Sequence, residues 1–171
     1  MASKEHATDD ANGTTTGPTR WANFDGLRLP VPADWTPVPR TSRSSSRLLE
    51  IQVADETSLL VLPRLSPAAH EWSLSSFLTE LIEGHVVGRE IVQREPDPPI
   101  LGRTDEGIDF ATQRAISRSP LGDPWFATYW VLVVDETSIQ SVIGLSNRPE
   151  AFDDLLAAIG DVIDGAQFSE V

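Results

Sequence analysis

Histidine is the residue type best suited to acid–base or metal chemistry near neutral pH, and this chain has three: His6, His70 and His85. None belongs to a His-Glu-x-x-His motif, and the chain has no EF-hand loop and no cysteine. His85 falls near the end of a predicted helix, on its apolar stripe, where a histidine usually packs at the edge of the core. The sequence therefore predicts no metal, no cofactor, and no thiol or histidine catalysis.

Motifs for nucleophilic attack and phosphate binding are also missing. The chain contains neither G-x-x-x-x-G-K-[ST] nor G-x-G-x-x-G. Residues 144–148 approach the G-x-S-x-G elbow of serine hydrolases, but Arg148 replaces the second glycine. The arginine- and serine-rich stretch 40–47 is a candidate for anion binding or phosphorylation, although a hairpin loop is the simpler interpretation. We therefore predict that the protein is not an enzyme.

Three aromatic residues on one predicted strand, Trp125, Tyr129 and Trp130, are the main candidates for a binding site. Together with His85 on the first predicted helix, they would line an apolar pocket between sheet and helix. Aromatic residues on a central strand more often belong to the core. The sequence leaves both interpretations open.

The charge of the chain excludes some classes of partner. The formal net charge is −13, which would repel nucleic acid and an anionic membrane surface. Residues 135–171 carry eight acidic residues against one basic residue, Arg148. This acidic region is either a surface for a basic partner or, more commonly, a solubilising face.

Length and composition indicate one folded domain. Residues 1–20 are polar and without periodicity, which predicts a disordered tail, and residues 21–171 are predicted to form a single α+β domain. No apolar run is long enough to span a bilayer, and the N-terminus lacks the apolar core of a signal peptide. We therefore expect a cytoplasmic protein. One lysine against twelve arginines suggests a bacterium with a GC-rich genome.

Short apolar, β-prone segments predict an antiparallel sheet. Asp-Glu-Thr-Ser occurs twice, at 55–58 and 135–138, each time between two such segments; we interpret both as hairpin turns rather than as traces of a duplication. The segment 125–134 is the most strand-like and should be central. Residues 96–99, Pro-Asp-Pro-Pro, predict a break. The predicted strands are residues 26–31, 48–54, 58–65, 89–95, 107–118, 125–134 and 138–145.

Two segments have the apolar periodicity of a helix that lies on a sheet. The first runs from about Ser73, a plausible N-cap, to Val87, and Gly88 follows it. The second starts near Pro149 and ends at Gly165, after which Phe168 is expected to return to the sheet.

This order of elements resembles the Mog1/PsbP/DcrB-like superfamily over residues 24–168. The resemblance implies an α/β/α sandwich in which two amphipathic helices flank one antiparallel sheet. It also implies a non-enzymatic module, because relatives serve as transport factors, photosystem subunits, lipoproteins and chaperones. The residues that carry the resemblance are Phe24, Leu27, Leu29, Pro30, Trp35, Phe77, Leu81, Gly107, Phe152 and Phe168.

We therefore expect an adaptor or chaperone-like protein that binds another protein through a concave sheet or an edge strand. A homodimer formed through an edge strand is a further possibility. The alternative is a protein that binds a small apolar molecule or lipid in a pocket between sheet and helix.

Overall fold

The computed structural model describes residues 19–66 and 73–169, and these form two helices and ten strands. The tail predicted over residues 1–20 lies outside the described residues except for Thr19 and Arg20, which begin the first strand. The helices are α1 (Leu74–His85) and α2 (Pro149–Asp164). The strands are β1 (Thr19–Phe24), β2 (Leu27–Pro32), β3 (Thr36–Thr41), β4 (Arg47–Ala54), β5 (Thr57–Val61), β6 (Glu90–Arg103), β7 (Asp109–Arg118), β8 (Pro124–Asp135), β9 (Ser138–Ser146) and β10 (Gln167–Phe168).

The strands form two antiparallel sheets, so the prediction of one sheet between two helices was wrong in this respect. A three-stranded sheet has the order β1-β2-β10, and a seven-stranded sheet has the order β3-β4-β5-β9-β8-β7-β6. The division comes at the proline-rich corner after β2, where the N–H of Trp35 bonds to the carbonyl of Pro32 at 3.0 Å. The chain turns there and begins the larger sheet. Trp35 is buried.

The small sheet begins with a hairpin that the sequence analysis did not predict. Asp25 and Gly26 both have positive φ, 50° and 88°, and an Asp-Gly pair suits the two central positions of a type I′ turn. This turn joins β1 to β2. Strand β10 pairs with β2 on its other side, which brings Phe168 back to a sheet as expected.

The large sheet confirms the predicted central strand, because β8 lies between β9 and β7. Both Asp-Glu-Thr-Ser segments are hairpin turns, between β4 and β5 and between β8 and β9. Asp135 stabilises the second, since its Oδ1 accepts bonds from the N–H of Thr137 and the hydroxyl of Ser138.

Proline-containing segments form both edges of the large sheet, which the sequence analysis did not anticipate. Strand β6 runs through the predicted break at residues 96–99, with a register shift between Glu95 and Ile100. Strand β3 contains Pro37 and Pro39, and its pairing with β4 reduces the predicted loop 40–47 to residues 42–46. Edge strands tolerate proline because only one side of the backbone must pair. Strand β5 has a neighbouring strand on both sides, and it ends at Val61, before Pro63, which has no N–H to donate.

The two helices pack on opposite faces of the large sheet. Helix α1 starts at Ser73, whose Oγ accepts the N–H of Ser76 at 3.1 Å, and it packs against β7 and β8. Helix α2 and the small sheet cover the other face. Gly144 on β9 allows close packing there, because a Cβ at this position would lie 3.0 Å from the methyl groups of Leu155 and Thr128. Two layers, α2 and the small sheet, therefore lie on one face, whereas α1 alone covers part of the other.

Candidate functional site

The C-terminal end of α1 places His85 and Arg89 beside the sheet. After His85 the N–H of Val86 bonds to the carbonyl of Ile82 at 3.1 Å, and the N–H of Arg89 bonds back to Val86 at 2.9 Å. Gly88 is the third residue of this turn and has a φ of +83°, a conformation that favours glycine. The turn folds Arg89 back towards the end of the helix.

Strand β8 supplies the aromatic side of the site. Successive side chains of a strand point to opposite faces, so Trp125, Ala127 and Tyr129 face α1. Trp130 faces the opposite way and packs against Phe110, with ring centroids 5.1 Å apart. The structure therefore brings three of the four predicted binding residues together, namely Trp125, Tyr129 and His85, and it places Trp130 in the core under α2 and the small sheet.

A cavity of about 220 Å³ lies between the end of α1 and the strands β7, β8 and β9. Four apolar groups form most of its wall, and four polar residues reach it. The apolar groups are Val86, Ala127, Leu145 and the ring of Trp125; the polar residues are His85, Arg89, Ser117 and Tyr129. A mainly apolar cavity with a few converging polar groups is typical of small-molecule sites.

His85 and Tyr129 are bonded to each other across the cavity. The Nδ1 of His85 lies 2.7 Å from the hydroxyl of Tyr129, and the two rings meet edge to face. Although His85 is partly open to solvent, shielding of its ring from water lowers its pKa, and the nearby Arg89 lowers it further. Tyr129 is completely buried, and this burial raises its pKa. Both shifts favour the neutral form of the side chain.

Arg89 is held by neutral acceptors. Its Nε donates to the hydroxyl of Ser117 at 2.9 Å, and its Nη2 donates to the carbonyl of Asp123 at 2.8 Å. The guanidinium carbon lies 6.0 Å from the centre of the Trp125 ring. These contacts fix the cation at the wall of the cavity.

An apolar groove of about 460 Å³ adjoins the cavity at His85, which lines both. It runs beside α1 over the part of the sheet that α1 leaves uncovered. Most of its lining is apolar, including Leu60, Leu62, Leu65, Phe77, Leu81 and Ile143. Leu65 is half exposed, at 50%. The cavity and the groove share His85 and both have a mainly apolar lining; together we call them the α1 site.

A shallow depression of about 550 Å³ adjoins the cavity on the other side of Trp125 and has a different chemistry. Its lining includes the four carboxylates of Asp34, Glu50, Asp55 and Glu56. Glu50 is paired with Arg40 at 2.7 Å. This side repels anions.

Two of the four polar residues of the cavity, Arg89 and Ser117, were not found by sequence reasoning. Arg89 was assigned only to the start of a strand, and Ser117 only to a strand interior. The glycine at position 88, directly after the helix, could have indicated Arg89. A turn at such a glycine brings the residue that follows it back to the end of the helix. No local signal identified Ser117, whose role depends on the pairing of β7 with β8.

Within residues 19–66 and 73–169 no group of three or more histidine and acidic side chains is placed to hold a metal ion. In the same residues neither helix has the length and hydrophobicity required to cross a bilayer.

Solved structures share this architecture. The solution structure of cyanobacterial PsbP (CyanoP) from Synechocystis sp. PCC 6803 matches with a TM-score of 0.57 and 12% identity, over 94% of this chain and 98% of that chain. The chain has a Mog1/PsbP-like fold. The crystal structure of LpqN, involved in cell envelope biogenesis of Mycobacterium tuberculosis, matches with a TM-score of 0.56 and 12% identity, over 92% of this chain and 88% of that chain.

No protein-family model matches the sequence, and no curated protein does. At 12% identity the two structural matches establish the PsbP-like fold alone. Any function must therefore be argued from the α1 site.

Proposed function

We propose that this PsbP-like protein is a non-catalytic binding protein that holds a small, largely apolar molecule in the α1 site. The observation that carries the proposal is that the cavity at the end of α1 and the groove beside α1 adjoin at His85, which lines both. Their walls are apolar side chains already positioned by the sheet, so a ligand would displace water from apolar surface without reordering the fold.

The polar groups of the cavity support a binding role over a catalytic one. The Tyr129 hydroxyl is hydrogen-bonded to Nδ1 of His85, and burial raises its pKa, so it stays protonated and is not available as a base at neutral pH. Ser117 is bonded to Arg89, which as a cation cannot activate it as a nucleophile by removing its proton. These groups orient a ligand but do not form a nucleophile–base pair.

A protein partner is the second candidate, and the open groove favours it. The groove exposes Leu65 at the surface, where an apolar side chain of another protein would bury it. Both edges of the large sheet carry prolines, which lack the N–H that an added strand would need. We therefore expect a partner to use the groove and not an edge of the large sheet, and the same argument disfavours a homodimer through either edge of that sheet. The cytoplasmic location expected from the sequence stays a prediction.

Binding of decan-1-ol, an uncharged aliphatic probe, tests the proposal. We expect wild-type protein to bind it with saturation by isothermal titration calorimetry. Leu65→Glu should weaken the affinity at least roughly fivefold, because it replaces about 1 kcal/mol of apolar contact by a charge in the groove. Ile100→Glu is the matched control: Ile100 is exposed to the same degree, 51%, but lies on β6 outside the α1 site.

An equal loss of affinity in both variants, or the absence of saturable binding to the wild type, would contradict the proposal. Circular dichroism and thermal unfolding of the two variants serve as controls that each retains its fold. Both positions are half exposed, so neither substitution is expected to prevent folding.

A further inference from the structure

Arg89 carries a charge that no carboxylate of the described residues neutralises. The four ion pairs among the described residues involve other arginines, so within this part of the chain no acidic oxygen lies within 4.0 Å of the Arg89 guanidinium. Its bonds go instead to the hydroxyl and carbonyl of Ser117 and to the carbonyl of Asp123.

The geometry of these bonds leaves part of the guanidinium for a ligand. Nε and Nη2 of Arg89 are occupied, and no bond to Nη1 is formed within the described residues. An arginine fixed by neutral acceptors beside an apolar wall is suited to an anion, because a charge-assisted bond is stronger where water is excluded. A carboxylate attached to an apolar body would satisfy both the cation and the ring of Trp125.

The end of α1 does not prevent an anion from binding. Helix C-termini carry a partial negative charge, but here the N–H of Val86 occupies the carbonyl of Ile82, and the N–H of Arg89 occupies that of Val86. The full positive charge of Arg89 at the cavity wall attracts an anion more strongly than the remaining partial charge of the helix end repels it.

Acidic groups on the other sides set the orientation of such a ligand. Glu80 lines the groove beyond His85, and the depression past Trp125 has four carboxylates. An anionic head is repelled from both and attracted to Arg89. The groove, whose lining includes Leu60, Phe77 and Ile143, adjoins the cavity at His85 and offers apolar surface to the rest of the ligand.

We infer that the α1 site binds a single acyl chain with a carboxylate headgroup, with the carboxylate at Arg89 and the chain in the groove beside α1. This inference rests on the proposed function, since it requires that the site hold an apolar ligand. It adds the chemical class of that ligand and names Arg89 as the residue that selects it.

Comparison of two probes that differ only in the head tests the inference. Decanoate and decan-1-ol are titrated separately into the protein at pH 7.5, below the concentrations at which either aggregates. We expect decanoate to bind about tenfold more tightly, the factor expected of one charge-assisted bond. Arg89→Gln should abolish that preference, and Arg89→Lys should retain part of it. Arg118→Gln is the matched control, because Arg118 is one strand away but outside the α1 site.

The outcomes separate the two claims. Equal affinity for both probes, or a preference that survives Arg89→Gln, would overturn the choice of a carboxylate and leave the proposed function standing. A preference lost equally in Arg118→Gln would also overturn it, because the effect would then be one of overall charge. Failure of both probes to bind the wild type would overturn the proposed function and this inference together. If Arg89→Gln does not fold, Arg89→Lys provides the test. A preference for decanoate smaller than that of the wild type supports the inference, and an unchanged preference overturns it.

Discussion

His85 and Tyr129 make the α1 site sensitive to acid. The pKa of His85 is lowered in the folded protein, first by shielding of its ring from water and second by Arg89. The unfolded chain therefore binds the His85 proton more readily than the folded chain does. By linkage, the stability that neutral His85 contributes is present above the ordinary pKa of about 6.5 and falls as the pH drops below it.

We predict that the free energy of unfolding of the wild type decreases between pH 7.5 and pH 5 more than that of His85→Gln. Urea unfolding at a series of pH values measures the difference. The variant provides the control for the other groups that titrate in this range. Parallel curves for the two proteins would show that His85 is not shielded in this way.

Strand alternation in the sequence already contained the information that separates Trp130 from Trp125 and Tyr129. The last two are four residues apart and share a face, whereas Trp130 has the opposite parity. The pocket residues could therefore have been chosen more precisely. Arg89 is different, because its proposed role as an anion ligand depends on its having no ion-pair partner among the described residues, and spacing in the chain does not reveal that.

At the scale of elements, two glycines show how closely α2 approaches the sheet. Gly144 on β9 has three methyl groups at 3.0–3.1 Å from an added Cβ, those of Leu155, Thr128 and Leu59. Gly160 in α2 has no atom within 4 Å of an added Cβ. The same substitution should therefore have opposite effects at the two positions.

We predict that Gly144→Ala lowers the free energy of unfolding by about 1–3 kcal/mol through overpacking. Gly160→Ala should raise it by up to about 1 kcal/mol, because alanine favours a helix interior. Chemical denaturation of both variants measures the pair. A stabilised Gly144→Ala, or two changes of the same sign, would contradict the packing of α2 on β9.

The elements themselves were largely readable from periodicity, because both helices and the strands β7, β8 and β9 have strong apolar patterns. The features that sequence reasoning did not predict have physical explanations. Prolines at 96–99 indicated a break, but an edge strand pairs on one side only and continues through them with a shifted register. The division into two sheets depends on which strands pair across the proline corner after β2, and local sequence does not encode that choice.

At the scale of the whole molecule, unequal coverage of the large sheet creates the α1 site. Helix α2 and the small sheet cover one face, whereas α1 lies over β7 and β8 and leaves the neighbouring strands open. The PsbP-like fold therefore provides a surface whose chemistry is set by a few side chains. In this chain most of these side chains are aliphatic or aromatic. At one end of the site lies Arg89, which has no ion-pair partner among the described residues.

Two tryptophans on the same strand allow the most direct test of ligand binding in the α1 site. Trp125 lines the cavity, and Trp130 lies on the other face of β8. In ¹H–¹⁵N NMR spectra, with the indole signals assigned from Trp125→Phe and Trp130→Phe, a titration with decan-1-ol should shift the Trp125 indole signal to saturation and leave that of Trp130 nearly unchanged. Equal shifts of both signals, or no shift of the Trp125 signal at saturating probe, would contradict this account.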